Sequence, residues 1–231
     1  MGAKSVALAQ FGNLSDIAWL RQLPAYSCRS RTLPHYRARI IHCESKIQSV
    51  PGYAYAVLAA GWAIWLTPFL LARRHHERAR VIDRRARWGV LLVAVSYSML
   101  WQNSFWARPL PAWRFVLSVC FLLSAIVLSW TGAHSLGRQW RVDAGLNQDH
   151  ELIVSGPYRV VRHPIYTSML CLLFGTGFMV TPLWLLLPAV IVFVVGTEIR
   201  IRIEDQLLSS RFAERFREYE RSVPAYIPFL R

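Results

Sequence analysis

The stretch Gly156-Pro157-Tyr158-Arg159-Val160-Val161-Arg162-His163-Pro164-Ile165-Tyr166 runs straight into an apolar segment, Ile165 to Val180. It therefore sets Arg, His and two Tyr rings where the chain enters a membrane. Ionisable groups held against a bilayer usually mark a working site, because leaving them unpaired in hydrocarbon is costly. Each also has a plainer use: Arg162 can reach phospholipid headgroups, and Tyr158 and Tyr166 can belong to an interfacial aromatic belt.

Outward from this stretch the apolar residues come in runs of about bilayer length rather than as periodic stripes, which identifies an integral membrane protein. Five runs are legible: Gly52 to Ala72, interrupted by Thr67-Pro68; Trp88 to Trp106; Trp113 to Trp130; Ile165 to Val180; and Leu183 to Thr197. Tryptophans border the second and third, as expected of anchors at headgroup level. The last two are joined at Thr181-Pro182 without a charge and form a tight antiparallel hairpin. Both fall short of the roughly 20 residues of a comfortable crossing, so helical extension or local bilayer thinning must make up the length, and four spans stay open beside five.

Beyond Thr197 the apolar positions Ile199, Ile203, Leu207, Leu208, Phe212, Phe216, Tyr219 and Val223 recur at helical spacing. They predict an amphipathic helix on the membrane surface, folding back on the loop before the fourth span. The predicted fold is thus all-α, a polytopic membrane protein of about five transmembrane helices plus a C-terminal amphipathic helix. Residues 1–50 read as a poorly ordered basic arm, with Pro24, Pro34 and no run long enough to cross a bilayer. No secretory signal pattern is legible there, while a transit peptide and a misassigned start stay open. Residues 51–231 form the membrane domain, its site built from 133–166 and 198–231.

The formal net charge is +14, almost all from arginine clustered beside the apolar runs. That pattern suits anionic lipid better than nucleic acid. Seven Arg lie between Arg73 and Arg87, four between Arg138 and Arg162 and seven from Arg200 onward, against only Arg108 and Arg114 in the opposite loops. With five spans the three basic segments share one side, which the positive-inside rule makes the cytoplasm, and the site faces it. The basic arm contradicts this count, since five spans leave it on the far side.

Cys28, Cys43, Cys120 and Cys171 show no paired close spacing and read as packing residues. His134, His150 and His163 lack the short spacings of a metal site on one helix, and no metal is expected. Gly175-Thr176-Gly177 follows no strand and is a packing feature rather than a dinucleotide fingerprint. The chain ends Ile227-Pro228-Phe229-Leu230-Arg231, with no prenylation box of its own. The remaining functional side chains fall in two stretches: His134, Trp140, His150, Tyr158, His163 and Tyr166 in one, Glu198, Glu204 and Asp205 in the other. Arg200 and Glu204, four residues apart, share a helical face, which is also the spacing of a routine surface pair.

These stretches resemble the isoprenylcysteine carboxyl methyltransferase family. The pattern Leu136-Gly137, Trp140, His150-Glu151-Leu152-Ile153, Gly156, Tyr158, Arg162-His163-Pro164-Ile165-Tyr166 carries the resemblance, with Glu204-Asp205, Phe212, Phe216, Tyr219, Val223-Pro224 and Pro228 in the tail. It covers residues 115–231 well and the first two spans in outline. Ser168 departs from a glycine common in the family, a change expected to alter cofactor fit slightly, and Ala213 from the glycine usual after the tail phenylalanine. Phospholipid N-methyltransferases and membrane sterol reductases share the Arg-His-Pro-x-Tyr motif, which specifies fold more firmly than reaction.

The resemblance implies an S-adenosylmethionine-dependent enzyme that methylates the carboxylate of an isoprenylated cysteine or similar lipid-like acid. It implies His150, Glu151, Leu152, Ile153, Tyr158, His163, Pro164, Ile165, Tyr166 and Glu204 around the cofactor, and Arg200 toward the acceptor, with Arg200 and Glu204 catalytic. Expected partners are that substrate and membrane lipid, without nucleic acid or metal. Residue chemistry is compatible: aromatic faces and a carboxylate serve a sulfonium cation, and an arginine fork orients a carboxylate. An amine acceptor would instead require a base such as His163, which keeps phospholipid N-methylation open. An NADPH-dependent reductase and a non-catalytic membrane protein are the other readings.

Overall fold

The computed structural model describes residues 26–32, 39–45, 50–72, 81–82, 85–101, 110–137, 145–146 and 151–226. The chain divides into two compact units, residues 1–49 with 107–109, and residues 50–106 with 110–231. In the first, strands β1 (Tyr26–Thr32) and β2 (Arg39–Ser45) pair antiparallel, Cys28 opposite Cys43; most of the arm expected over 1–50 lies outside the described residues. Among its described residues the second unit is mostly helical, with a short antiparallel pair, β3 (Val81–Ile82) with β4 (Gly145–Leu146).

The described residues form six α-helices, of which the first five take up the apolar runs: α1 (Gly52–Ala72), α2 (Ala86–Leu100), α3 (Ala112–Leu136), α4 (Pro164–Val180), α5 (Leu183–Phe212) and α6 (Glu214–Ser222). Of these, α1, α3 and α5 are long and apolar enough to cross a membrane, whereas α2 and α4 are apolar but shorter. Leu123, Val127, Leu187 and Ile191 are large, apolar and exposed, a surface that suits lipid and not water. The chain is an integral membrane protein.

The helices alternate in direction. Trp62 and Trp65 of α1 donate from their indole nitrogens to Thr176 and Ser168 of α4, each at 3.1 Å. Ser118 of α3 donates to the carbonyl of Gly175, and Gly132 near the end of α3 lies against Pro164 and Ile165. Ser96 of α2 donates to the Ala189 carbonyl of α5 at 2.7 Å. Hydroxyl and indole donors of this kind join helices where lipid supplies no hydrophobic drive between them. Consequently the ends of α1 and α3 and the starts of α2 and α4 lie together at one end of the bundle.

Proline in a span would orphan a carbonyl four residues upstream. Pro68 does this to Ile64, and the indole of Trp130 donates to that carbonyl at 3.0 Å. At the other end of the bundle, Arg114 donates to the carbonyls of Gly177, Phe178 and Thr181, satisfying the C-terminal turn of α4. The expected hairpin at Thr181-Pro182 is present.

The tail differs from its sequence reading in one respect. The last span and the amphipathic segment as far as Phe212 are a single 30-residue helix, because Glu198 to Arg202 bring charge without any helix-breaking residue, while Phe216 and Tyr219 fall on α6. The break comes at Ala213, whose φ of 46° and ψ of −119° are an unfavourable conformation for a residue with a Cβ. Gly137 adopts nearly the same angles at the end of α3.

Candidate functional site at the bundle end

Gly156 opens the approach to the site with φ +61°, and a Cβ there would stand 2.6 Å from the Ser135 hydroxyl oxygen. Only glycine lets one turn of 3-10 helix, Gly156–Arg159, pass this close to α3. Pro164 is the first residue of α4, where its missing N–H removes nothing. The two residues before it are extended enough to pair with the tail. The Arg162 and His163 amides donate to the carbonyls of Pro224 and Ala225, both at 2.8 Å.

The tail thus folds over the threshold of α4, and the site is organised by two adjacent acids that point to different partners. Glu204 accepts from the Tyr166 hydroxyl and from Arg200 Nη2 at 3.3 Å, while Arg200 Nε donates to the Tyr166 oxygen at 2.6 Å. The guanidinium of Arg200 also stands over the Tyr166 ring, 5.7 Å from its centroid. Asp205 turns the other way, to Arg162 Nη1 at 2.7 Å and His163 Nε2 at 2.9 Å. His163 spans the two, its Nδ1 3.6 Å from Glu204 Oε2.

Arg162 is the hub of the second cluster. Its side chain, 4% exposed, also donates to the Val223 carbonyl at 3.1 Å, approaches Glu220 at 3.3 Å and lies over the Phe216 ring. One guanidinium thereby ties the start of α4 to α5, α6 and the tail. Such a buried charge is tolerable only when fully paired.

Of the residues singled out in the sequence, Arg200, Glu204, Tyr166 and His163 come together. Tyr158 is buried beside them; its carbonyl accepts from the Tyr219 hydroxyl. Burial pushes the Tyr158 phenol up, with smaller contributions from Tyr219 and Glu204, so it stays neutral. Burial likewise carries Tyr219 up to about 12, against the lowering influence of Arg162 and with that of Asp205. Pro164 and Ile165 lie against Gly132 of α3. Leu152 is buried, Ile153 half-buried and Glu151 exposed; His150 lies outside the described residues.

Ser168, expected to touch cofactor fit, is fully buried and accepts from Trp65 while donating to the Ile165 carbonyl, so its hydroxyl serves helix packing. The structural weight of Arg162 and Asp205 was not legible in the sequence. The adjacency of two acids was a signal, since neighbours on a helix point about 100° apart and reach separate partners. Among the described residues no group of three or more His, Cys, Asp or Glu side chains is placed to hold a metal ion.

Fold and site together define an integral membrane protein with a charged, aromatic-lined cluster at one end of a helical bundle. Residues 113–215 match the family profile of phospholipid methyltransferases. The chain is 31% identical over 147 residues to the cobalt-zinc-cadmium resistance protein CzcN of Cupriavidus metallidurans, covering 62% of each chain. It is 33% identical over 84 residues to protein-S-isoprenylcysteine O-methyltransferase B of Arabidopsis thaliana, covering 36% of this chain and 42% of that one. It is 27% identical over 161 residues to the protein-S-isoprenylcysteine O-methyltransferase of Schizosaccharomyces pombe, covering 63% and 68%. The matches thus span between 42% and 68% of these relatives' own lengths. Over part of its length the chain is therefore similar to phospholipid methyltransferases and to protein-S-isoprenylcysteine O-methyltransferases.

Proposed function

We propose that this protein transfers a methyl group from S-adenosylmethionine to the carboxylate of an isoprenylated cysteine or a similar lipid-like acid, at the cytoplasmic face of the membrane. The observation that carries this reading is the meeting of Arg200 and Glu204 on the Tyr166 hydroxyl, at the end of an apolar bundle. A guanidinium there suits an acid whose hydrocarbon tail stays in lipid, and its fork matches a carboxylate. The side chains of Arg200 and Glu204 are 11% and 24% exposed, largely shielded from water.

The donor set fits a sulfonium-bearing cofactor, because Glu204 keeps an exposed edge whereas Asp205 beside it is committed to Arg162 and His163. S-Adenosylmethionine, when bound, supplies an electrophilic methyl group. Tyr158, Tyr166, His163 and Glu204 would hold it, together with His150 to Ile153, Pro164 and Ile165 as the family resemblance implies. A carboxylate acceptor is ionised at neutral pH, so the chain's own residues need only align it and exclude water. Arg200 would orient the acceptor, while Tyr166 and Glu204 fix the guanidinium.

An amine acceptor would need a base to remove its proton. His163, its Nε2 2.9 Å from Asp205 and its Nδ1 3.6 Å from Glu204, is the group at the site that would have to serve as that base. The ends of α1 and α3, after which the basic segments of the sequence follow, lie at the site end with Arg200, which supports five spans and a cytoplasmic site.

Ligand protection against heating tests the reading. S-Adenosylhomocysteine at about 100 times its dissociation constant is expected to stabilise the purified protein by about 2.7 kcal/mol. NADPH is expected to leave it unchanged. Protection by NADPH alone rejects methyl transfer in favour of reduction, and no response to either ligand rejects both.

A further inference from the structure

Arg200 reaches Tyr166 only because α2 leaves it room. A Cβ on Gly89 would stand 2.5 Å from Arg200 Cγ, 3.4 Å from its Cδ and 2.5 Å from the Gly196 carbonyl oxygen. Contacts under 3 Å are ones that real Cβ atoms essentially never make. The stem of Arg200 therefore crosses the bare backbone of α2 before its head turns to Tyr166 on α4. One turn earlier on α5, Gly196 makes the helix approach itself possible: a Cβ there would meet the Gly89 oxygen and Leu92 Cβ, both at 2.9 Å, and Val93 N at 3.1 Å. Small residues at such crossings let membrane helices touch backbone to backbone. Around them, Ala86 and Ile203 are buried together, with Ile199 and Leu207 against them.

We infer that Gly89 is a positioning residue for acceptor recognition: it is the slot that holds the Arg200 stem, so α2 determines where the guanidinium meets the substrate carboxylate. The functional half of this inference rests on Arg200 being the acceptor's ligand; the packing half does not. Gly89 and Gly196 separate two effects. Substituting Gly196 pushes the helices apart without touching the arginine, whereas substituting Gly89 strikes both the helix and the arginine stem.

The test is a pair of double-mutant cycles on the full chain in detergent, read as thermal midpoints, with Gly89→Ala and Gly196→Ala each combined with Arg200→Ala. Gly89→Ala is expected to lower the midpoint, and the double variant to lose clearly less than the sum of the two single losses. Gly196→Ala is expected to add to Arg200→Ala without coupling. Gly52→Ala, where an added Cβ meets nothing within 4 Å, is the control for glycine replacement itself. Should Gly89→Ala not fold, recovery of folded protein on adding Arg200→Ala supports the slot and failure to recover overturns it. Additivity in the Gly89 cycle, or equal coupling in both cycles, also overturns it.

On activity, Gly89→Ala is expected to lower kcat/KM for a farnesylcysteine analogue about tenfold or more, since small misplacements at a reacting centre are costly. KM for S-adenosylmethionine is expected to stay within about twofold, an order-of-magnitude margin for a group that does not touch the donor. Equal losses toward both substrates overturn the positioning role. If wild-type protein methylates no isoprenoid acid, the proposed acceptor fails while the thermal cycles still decide the slot.

Discussion

Replacing Ala213 with glycine is expected to stabilise the protein. Ala213 holds φ +46° between α5 and α6, and it is the one non-glycine residue at positive φ among those described. Its methyl group is exposed, so removing it forfeits no buried contact. A non-glycine residue in such a region costs on the order of 1–3 kcal/mol, and glycine's extra freedom in the unfolded chain returns about 0.4–1 kcal/mol. The net gain is on the order of 1 kcal/mol, or roughly 2–4 °C in midpoint for a chain of this size. Membrane proteins often unfold irreversibly, so wild type and Ala213→Gly should be compared at one heating rate in one detergent. Ala213→Val is the opposing control and should lower the midpoint. A fall or no change with glycine, with valine tolerated, would refute the strained turn between the two tail helices.

Arg162→Met should destabilise by about 3–5 kcal/mol, because it leaves the largely buried Asp205 with only His163, and Asp205→Asn in the same chain should recover part of the loss; urea or thermal unfolding of wild type and the two variants checks this. Arg114→Ala should cost about 1.5–3 kcal/mol through three lost charged hydrogen bonds at the end of α4, yet leave S-adenosylhomocysteine binding unchanged, as calorimetry would show. Tyr219 contributes to stability through its protonated phenol, since its folded pKa of about 12 lies above the ordinary value of 10.0. That contribution is complete below the unfolded pKa and disappears as pH rises through the folded one. Stability should therefore fall more steeply between these values in wild type than in Tyr219→Phe.

The helices were legible because lipid imposes a coarse rule: a run of apolar residues bounded by charge or tryptophan becomes a helix, and α1 and α4 begin and end within a residue of their runs, while α3 continues past Trp130 to Leu136. The continuity of α5 through Thr197 was not, because the apolar pattern changes there while helix propensity does not. Arg200, Glu204, Tyr166 and His163 were drawn from motif resemblance, and their meeting depends on the tail pairing with residues 162–163, which no local spacing encodes. Gly89 left no sequence signal beyond a glycine in an apolar run. Its meaning lies entirely in what crosses it from another helix.

Methyl transfer itself is the most direct measurement: labelled methyl from S-adenosylmethionine into a farnesylcysteine analogue, for wild type, Arg200→Ala and Glu204→Ala in the same membranes. Wild type is expected to label the analogue and both variants to lose labelling while remaining folded. Labelling that survives unchanged in either variant would contradict the site built by Arg200, Glu204 and Tyr166.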